Sequence, residues 1–475
     1  MGGIPSYTYL KMNKINPNSN NAYQLLHQGT LSLARAEAQG IRIDVELAEK
    51  KKAYLTRKIN RLESEFMESE FYKHWVKSTG GKMPNIYSNT QLSKFLYIVK
   101  KLKSSKDTTS GEQGSTDEEA LSQLNIPEIE VLLQIRKLKK IRDTYLEAFV
   151  REQVDGYIHP SFALHLVRSF RSSSNSPNFQ NIPARDEEAM NTCRGVLFPR
   201  PGHQLMEIDF KSIEVGINSA INKDKTLVKY VSDPTSDMHR DMAIQIFLID
   251  NFNKKIESHA LLRQAAKNGF VFPEFYGDYW RNCAKNLACN WGKLPQGKWK
   301  IGQGIALYQG HLADHLISKG IRSYDAFEKH IQKIEQDFWG NRFKEYAVWK
   351  EKNWKAYQKN GYVDLPTGFR CQGVMNQKEV NNYPGQGSAF HCLLWSFIEA
   401  DRVMLKENWD TKLIGQIHDS VILDINPKEK DHVIESMRRI TTKDLPAAWK
   451  WIFIPLEVEI KIGKVGGSWA EMSKI

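Results

Sequence analysis

Apolar residues recur at helical spacing in the N-terminal third of the chain, between residues 24 and 68 and again from Pro127. A spacing of three to four residues places them on one face of a helix, so this region is predicted to be helical. Pro127 fits the start of the second helix, because proline is accepted in a first helical turn. Residues 100–119 are rich in Ser, Thr, Gly and charged residues, which predicts a mobile basic tip joining two helical arms.

The second helix carries four basic residues that its periodicity turns towards solvent: Arg136, Lys139, Lys140 and Arg142. Two interpretations of this basic face stay open from the sequence. It is either an ordinary solvated helix face or a row of cations that binds the phosphates of a nucleic acid.

The rest of the chain alternates between strand and helix signals. Short strand-like runs with turn residues fill residues 157–235, and helical periodicity then dominates as far as residue 410. Residues 413–425 contain two apolar runs separated by His418 and Asp419, which predicts a β-hairpin with a carboxylate at its tip. Strand alternation closed by glycines follows at residues 454–469. These signals together predict an α+β fold.

Composition and charge narrow the class of protein. The 475-residue chain has 41% hydrophobic residues, enough for a sizeable core, so a disordered protein is excluded. No run approaches the roughly 18–20 apolar residues of a membrane span, which predicts no membrane segment. The net charge of +12 favours an anionic partner. Five scattered cysteines without a C-x-x-C pair disfavour disulfides and structural zinc, and they favour a reducing compartment.

Two aspartates are candidates for metal chemistry. In residues 205–214, strand alternation places Glu207 and Asp209 on the same face. If this strand pairs with the hairpin, Asp209 converges with Asp419, and close carboxylates repel each other unless positive charge lies between them. Divalent cations about 3.5–4 Å apart remove this repulsion and support phosphoryl transfer. The alternative is two unrelated surface aspartates, which the spacing alone does not exclude.

A second candidate site lies in residues 263–277. Arg263 and Lys267 are four residues apart, so they share one helix face and form a basic pair suited to phosphate oxygens. Phe272 and Tyr276 follow and could offer ring faces to a nucleobase. The alternative is an ordinary solvated helix face. Residues 281–285 repeat the Arg-x3-Lys spacing without the following Tyr-Gly, and we treat them as unrelated.

The order of the motifs resembles that of family A DNA polymerases, the group of bacterial DNA polymerase I and many phage replicases. RSSSNSPNFQNIPAR (171–185) resembles the R-L-S-S-S-x-P-N-L-Q-N-I-P-x-R segment of that family. DFKSIE (209–214) is similar to motif A, Arg263-x3-Lys267 with Tyr276-Gly277 to motif B, and QIHDS (416–420) to motif C. DMHRDMA (237–243), Asn382-x3-Gln386-Gly387 and three upstream stretches extend the resemblance over residues 24–470.

The resemblance implies a right-hand polymerase fold with a helical thumb, an antiparallel palm sheet and helical fingers. The implied domains are a polar leader (1–23), the thumb (24–156), the first part of the palm with motif A (157–235), the fingers with motif B and their connection to the palm (236–375), and the second part of the palm with motif C (376–475). The implied activity is template-directed addition of dNTPs to a primer 3′-hydroxyl.

The resemblance also implies the site residues. The catalytic residues are Asp209 and Asp419, which hold two Mg²⁺ ions together with the backbone carbonyl of Phe210, and Mn²⁺ is expected to substitute. The nucleotide-binding residues are Glu214, His239, Arg263, Lys267, Phe272 and Tyr276. The residues expected to contact primer–template DNA are Lys140, Arg142, Arg171, Asn178, Gln180, Asn181, Arg185, Asn382, Gln386 and His418.

Several positions depart from the family pattern. Phe210 replaces a Tyr, Gly216 stands where an Arg is usual, and Ser420 replaces the Glu after the motif C aspartate, so a third carboxylate is missing. Motif B carries one extra residue, which leaves Phe272 or Val271 at the aromatic position that faces the nucleotide, and we favour Phe272. Pro273 is predicted to kink or end the motif B helix.

The expected partners are primer–template DNA, dNTPs and a separate exonuclease or processivity subunit. Only 23 residues precede the predicted thumb and they hold no D-x-E cluster, so we expect no 3′–5′ exonuclease activity in this chain. We expect a cytoplasmic monomer, in a bacterial cell or a phage-infected host. The rival functions are a single-subunit RNA polymerase-like enzyme, which shares the hand, and a catalytically idle DNA-binding clamp.

Overall fold

The computed structural model describes residues 19–104 and 114–475. Within these ranges no helix combines the length and the apolar composition needed to cross a membrane. Helices and antiparallel sheets alternate along the chain, which confirms the predicted α+β class.

The N-terminal region is almost entirely helical. Asp44 caps the long helix α2 through a 2.8 Å hydrogen bond that its side chain accepts from the Leu47 N–H. The elements are α1 (Ser19–Gln39), β1 (Ile41–Ile43), α2 (Val45–Glu68), α3 (Glu70–Ser78), α4 (Asn89–Ser93), α5 (Glu118–Ser122), α6 (Pro127–Lys139) and α7 (Glu147–Glu152), with π-helical segments at Lys94–Val99 and Lys140–Leu146.

The region that follows contains the motif A strand β6. Its elements are β2 (Tyr157–Ile158), β3 (Ser161–Ala163), β4 (Ser173–Asn175), α8 (Glu187–Cys193), β5 (Leu197–Phe198), β6 (Gln204–Phe210), α9 (Ile213–Asn222) and α10 (Lys225–Ser232), with 3-10 turns at Phe179–Asn181 and Arg194–Val196.

Helices return after Asp237, which caps α11. The elements are α11 (Met238–Phe247), α12 (Glu257–Ala266), α13 (Phe272–Phe275), α14 (Trp280–Lys285), α15 (Leu312–Ser318), α16 (Tyr324–Asp337), α17 (Lys344–Asn360), β7 (Tyr362–Asp364) and β8 (Arg370–Gln372), with π-helical segments at Lys267–Val271, Asn286–Trp291 and Phe338–Arg342.

The C-terminal region begins with the long helix α18 and contains the motif C hairpin. The elements are α18 (Gln377–Lys406), β9 (Lys412–Ile417), β10 (Ser420–Ile425), α19 (Lys430–Arg439), α20 (Leu445–Ala448), β11 (Val458–Ile462) and β12 (Ser473–Lys474), with a π-helical segment at Ile440–Asp444 and a 3-10 turn at Trp469–Glu471.

One five-stranded antiparallel sheet, in the order β12-β11-β6-β10-β9, positions the candidate site. The motif A strand β6 lies between β10 and β11, and Asp209 is the register partner of Ser420. The residue before Ser420 is Asp419, in the turn of the hairpin. The predicted hairpin and its pairing with the motif A strand are therefore confirmed.

Two hydrophobic cores support this sheet. The first joins the N-terminal helices, the five-stranded sheet and α18, whose 30 residues are largely buried. The second lies among the helices between Leu227 and Tyr346, and it includes the segment with Arg263 and Lys267. The predicted domain boundaries themselves stay a prediction.

Three expectations for local structure need correction or fall outside the described residues. Helix α1 begins at Ser19, inside the predicted leader, whose first 18 residues lie outside the described ranges. Residues 105–113 of the predicted basic tip also lie outside them, and residues 118–119 of that tip already belong to α5. Arg136 does not face solvent freely, because its guanidinium is half-buried and donates to the Thr116 carbonyl at 2.9 Å.

Candidate active site

The two predicted catalytic aspartates meet at the ends of paired strands. Asp209 is the penultimate residue of β6, and Asp419 lies in the turn between β9 and β10. The backbone N–H of Phe210 donates to the backbone carbonyl of Asp419 at 3.1 Å, which ties the two positions together. Among the residues that the structure describes, neither carboxylate forms a salt bridge.

The environment of this pair disfavours negative charge. Burial and, to a smaller extent, the neighbouring carboxylate of Glu207 together raise the pKa of Asp209 to about 6. Burial likewise raises the pKa of Asp419 to about 7, with Glu214 and Asp209 adding repulsion and Arg171 opposing it. The site therefore holds an excess of negative charge that a cation would relieve.

Glu207, two residues before Asp209 on the same face of β6, has a different environment. Its carboxylate accepts from Arg194 at 3.3 Å, from Lys461 at 3.0 Å and from the indole N–H of Trp469 at 3.4 Å. The Arg194 guanidinium also lies over the Trp469 ring, 4.4 Å from its centroid. This carboxylate is satisfied by protein groups, which leaves only Asp209 and Asp419 as metal-ligand candidates on the strand pair.

Glu214 connects three parts of the site. It lies in the first turn of α9, where it accepts from Arg171 at 2.7 Å and from the Tyr276 hydroxyl at 2.5 Å. The Tyr276 carbonyl in turn accepts from the Asn382 side chain at 3.0 Å. The sequence predicted these residues near the nucleotide and the DNA, but it gave no sign that they bond to one another.

The motif B segment is one helix that contains a π-helical turn. The turn spans Lys267–Val271 and adds one residue, so Phe272 continues the helix after it and Tyr276 is the C-cap. The extra residue is thus absorbed without separating the basic pair from the aromatic pair. Pro273 was predicted to kink or end this helix, but the helix continues to Phe275 and its π-helical irregularity lies before the proline.

The structure distinguishes between the two candidates for the aromatic position. Val271 is fully buried in the second core, whereas Phe272 is half-buried beside two other predicted nucleotide-binding residues. The Lys267 ammonium lies 5.2 Å from the Phe272 ring centroid, and the His239 ring meets that ring edge-on at 5.7 Å. This placement favours Phe272, the residue preferred from the sequence.

The positive groups of motif B are close enough to affect one another. Arg263 donates to Asp237 at 2.7 Å, so this aspartate, the cap of α11, holds the guanidinium. Burial lowers the pKa of Lys267, and the nearby Arg263 and Arg185 lower it further. Burial and the positive charges of Lys267 and Arg263 lower the pKa of His239 to about 4, so His239 is neutral at physiological pH. Its Nδ1 atom is buried without a hydrogen-bond partner.

Asp237 is the functional candidate that the sequence reasoning missed. The resemblance includes Asp237 only as the first residue of the stretch 237–243 and implies no role for it. A capping signal was present, because an Asp directly before a helix accepts from the first-turn N–H groups. Its pairing with Arg263, 26 residues later, is a tertiary contact and leaves no local signal.

The predicted DNA-binding residues fall into four groups. Burial lowers the pKa of His418, and the positive charges of the nearby Arg171 and Arg185 lower it further. Residues 178–181 form a 3-10 turn in which the Asn178 side chain accepts from the Asn181 N–H at 3.1 Å, and Gln180 donates to Ser172 at 2.8 Å.

The other two groups lie on helices. Asn382 and Gln386 are one turn apart on α18, and both are half-buried. Lys140 and Arg142 lie on the π-helical segment after α6, where Lys140 is exposed and Arg142 is held by Asp143 at 2.6 Å. This segment packs against α2 and α8, so the structure does not bring these two residues to the aspartates.

One departure from the family pattern has a structural cause. A side chain on Gly216 would meet Ile454 at 3.2 Å, so the larger residue usual at this position does not fit without movement. The side chain of Phe210, which replaces the usual Tyr, is buried.

The chemistry of the donor set fits Mg²⁺. Two carboxylates converge without a protein cation, and Mg²⁺ binds through one or two carboxylates while substrate phosphates and water complete its shell. Within the described ranges no group of three or more His, Cys, Asp or Glu side chains could hold a metal. A pair of carboxylates that relies on substrate for its remaining ligands is compatible with that finding.

Comparison with known proteins gives the family. The sequence profile of DNA polymerase family A matches residues 49–471. The chain belongs to DNA polymerase family A. This family assignment confirms the resemblance on which the site residues were predicted.

Several DNA polymerase I proteins are similar to this family A chain. The protein of Caldicellulosiruptor bescii is 26% identical over 435 residues, which cover 91% of this chain and 45% of that protein. The thermostable enzyme of Thermus thermophilus is 24% identical over 449 residues, covering 91% and 46%. The protein of Lactococcus lactis subsp. lactis is 24% identical over 392 residues, covering 82% and 40%. The chain thus spans less than half the length of these relatives.

A solved structure shows the same fold. The polymerase domain of Pol1 from M. smegmatis, in complex with a DNA primer-template and dNTP, superimposes with a TM-score of 0.72 at 21% identity. The superposition covers 94% of this chain and 70% of that chain. The predicted right-hand polymerase fold is therefore confirmed.

Proposed function

We propose that this family A chain is a template-directed DNA polymerase that adds dNTPs to a primer 3′-hydroxyl and releases pyrophosphate. The observation that carries the proposal is the meeting of Asp209 and Asp419 on paired strands without a cationic partner. The proposed partners, primer-template DNA and dNTP, are those bound to the M. smegmatis polymerase domain.

Asp209 and Asp419 would hold two Mg²⁺ ions, with the Phe210 carbonyl as a further ligand and Mn²⁺ as a substitute. When bound, such ions stabilise the charge on the attacking and leaving oxygens. The chain's contribution is to keep both carboxylates fixed at a rigid strand pair, so that no reorganisation is needed when substrate arrives.

The triphosphate would be held by the basic face of motif B. Lys267 is a half-buried ammonium whose neighbours are cationic, so an incoming phosphate relieves repulsion as well as pairing with it. Asp237 holds Arg263 at 2.7 Å, which orients the guanidinium before substrate binds. Neutral His239 offers a ring nitrogen to the phosphates without adding charge, and the Phe272 ring would lie against the base.

Glu214 would select the sugar. Its two oxygens are already occupied by Arg171 and the Tyr276 hydroxyl, so a 2′-hydroxyl beside it would displace one of these partners. Breaking a hydrogen bond to a charged group costs about 1.5–3 kcal/mol, which favours dNTP over rNTP. Tyr276 would mark the template side, because its carbonyl is bonded to Asn382.

The duplex would lie along the remaining predicted residues. Primer and template near the site would be contacted by Arg171, Arg185, His418, Asn178, Gln180, Asn181, Asn382 and Gln386. Phosphates further along the thumb would be contacted by Lys140 and Arg142. The proposed thumb, palm and fingers follow the predicted boundaries at residues 156, 235 and 375. We place the activity in the cytoplasm and expect a monomer.

Single-nucleotide extension of a primed DNA template in Mg²⁺ tests the function. We expect only the dNTP complementary to the templating base to be added, with rNTPs incorporated far less well. Equal use of rNTPs would favour the RNA polymerase-like alternative. Binding of the primer–template without any addition would favour the idle clamp.

The absence of 3′–5′ exonuclease activity in this chain stays a prediction. A mismatched primer incubated with Mg²⁺ and without dNTPs should keep its length. Shortening that persists in Asp209→Asn and Asp419→Asn variants would show a nuclease site that the sequence reasoning did not find.

A further inference from the structure

The segment from Gly292 to His311, here termed the basic loop, has an unusual charge balance. It contains Lys293, Lys298 and Lys300, and no Asp or Glu occurs between residues 292 and 313. The nearest acidic residue in sequence, Asp314, is occupied, since it accepts from the N–H groups of Gly302 at 2.7 Å and His311 at 2.9 Å. The loop is therefore a local concentration of positive charge.

The basic loop has a defined conformation although it contains neither helix nor strand. Trp299 is buried against Phe327 at 5.8 Å, and its indole N–H donates to the Pro295 carbonyl at 2.9 Å. Its backbone N–H donates to the Arg322 carbonyl at 3.0 Å. A loop that is already ordered loses little conformational entropy when a ligand binds.

The basic loop combines exposed cations with large exposed side chains. Lys293, Lys298 and Lys300 are all exposed, and none forms a salt bridge within the described part of the chain. The Tyr308 ring is 77% exposed and Ile301 is 84% exposed. Exposed lysines together with an accessible aromatic ring are the combination that binds single-stranded nucleic acid, because phosphates pair with the cations and a base stacks on the ring.

The loop is positioned next to motif B. A side chain on Gly269, in the π-helical turn of motif B, would meet Leu287 at 2.9 Å and Trp291 at 3.6 Å, so the segment Asn286–Trp291 packs directly on that turn. Lys293 follows two residues after Trp291. Asn290 in the same segment is hydrogen-bonded to Gln123 and Glu119 of the predicted thumb. The basic loop thus begins directly after a segment that contacts both the motif B helix and the predicted thumb.

We propose that the basic loop is a binding surface for single-stranded DNA, and specifically for the unpaired template strand ahead of the polymerase site, a role that rests on the proposed function. The unpaired part of the template strand would pass from motif B over Lys293, Lys298 and Lys300, and one of its bases would stack on Tyr308. A displaced non-template strand has the same chemistry, and the experiment separates the two sources.

Fluorescence anisotropy over a range of salt concentrations tests the proposal. The substrates are a primed template with a 12-nucleotide 5′ template overhang, the same duplex with a one-nucleotide overhang, and a duplex with a 5′ flap on the non-template strand. The variants are Lys293→Ala/Lys298→Ala/Lys300→Ala and Tyr308→Ala. A control removes three exposed lysines elsewhere: Lys255→Ala/Lys329→Ala/Lys333→Ala.

The wild-type chain should bind the long overhang more tightly than the short one. The loop triple variant should lose about 2 from the slope of log affinity against log salt, at roughly 0.7 per phosphate for single strands, on the long overhang only. Tyr308→Ala should weaken the same substrate about fivefold with little change in slope. The control variant should match the wild type in its preference for the long overhang.

Equal preference for the long overhang in the wild type and the loop variant would overturn the proposal. A loss confined to the flap substrate would also overturn it and assign the loop to the displaced strand. A chain that retained the overhang preference but never extended a primer would refute the proposed function and leave the binding surface in place. The two failures are therefore distinguishable.

Discussion

The palm and the fingers each bury a carboxyl group beside a second acidic residue, and the two surroundings differ. In the fingers, Glu274 accepts from the Trp339 indole at 2.8 Å and contacts the Cys283 thiol at 3.5 Å, and the Lys350 ammonium lies 3.5 Å from the Trp339 ring centroid. In the palm, Asp209 and Asp419 have raised pKa values and form no salt bridge within the described ranges.

The difference indicates which raised pKa marks a reactive site. Burial, with a smaller contribution from the nearby Glu335, raises the pKa of Glu274 to about 8, so Glu274 can remain protonated and hydrogen-bonded. That arrangement needs no ligand. The palm carboxylates form no salt bridge within the described ranges, and the charge of Arg171 only partly offsets the repulsion on Asp419, so bound cations would balance this pair. Raised pKa values alone would have selected both places.

The largest expected effect is loss of activity when either palm carboxylate is replaced. Asp209→Asn and Asp419→Asn should each reduce primer extension by about a thousandfold or more, since about 4 kcal/mol of transition-state stabilisation depends on the metal site. Rapid-quench extension measures the rate, and primer–template affinity should stay within about tenfold. Near-normal extension by either variant would show that the palm carboxylates are no more catalytic than the Glu274–Glu335 pair of the fingers.

Glu214 should give the next largest effect, because it links the palm pair to motif B. Glu214→Ala should raise rNTP incorporation relative to dNTP by roughly a hundredfold, equivalent to about 2.7 kcal/mol. Single-nucleotide kinetics with both substrates measure the ratio. Equal loss of both substrates would show that Glu214 only supports the Arg171 and Tyr276 contacts, with Phe210 as the next candidate for sugar selection.

Replacement of Glu274 should affect stability more than chemistry. Glu274→Ala leaves the Trp339 N–H without its acceptor and should lower the free energy of unfolding by about 1–3 kcal/mol. Thermal unfolding measures this loss, and Glu274→Gln should restore most of it because the amide oxygen can accept from Trp339. A Glu274→Gln variant that unfolds like the wild type but cannot extend a primer would make the fingers pair catalytic.

The smallest effect is a gain in stability when Asp419 loses its charge. Its pKa is raised to about 7 in the folded state, above the ordinary value of 3.8, so ionisation penalises the folded state as pH rises from 4 to 7. Asp419→Asn should therefore match the wild-type melting temperature near pH 4. In chelator at pH 8 it should exceed the wild-type value by roughly 1–3 °C. A lower melting temperature at pH 8 would contradict the repulsion that we assign to the palm pair.

Much of the palm could be predicted from sequence because its signals are local. Strand alternation around Asp209 and the polar break at His418-Asp419 each fall within a few residues, and one pairing of two strands then brings the carboxylates together. The role of Glu207 could not be predicted. Its partners Arg194, Lys461 and Trp469 come from three distant segments, so the same alternation that found Asp209 could not tell the two acids apart.

The fingers were less predictable, for the same physical reason. The π-helical turn at Lys267–Val271 has no period of its own in the sequence, and it coincides with the close packing of Gly269 against Leu287. Pro273 predicted a kink or a helix end at its own position, whereas the helix continues to Phe275 and the irregularity lies before the proline. The Glu274 cluster likewise depends on α14, the Phe338–Arg342 segment and α17, which only the fold brings together.

We infer that divalent cations balance the charge of Asp209 and Asp419, whereas protein cations balance other buried carboxylates of the chain. Electron paramagnetic resonance with Mn²⁺ tests it directly, on the chain bound to a chain-terminated primer–template and the next dNTP. The account predicts two Mn²⁺ ions per complex for the wild type and for Glu274→Gln, with loss of at least one ion in Asp209→Asn and in Asp419→Asn. Two ions bound equally by all four proteins would contradict it.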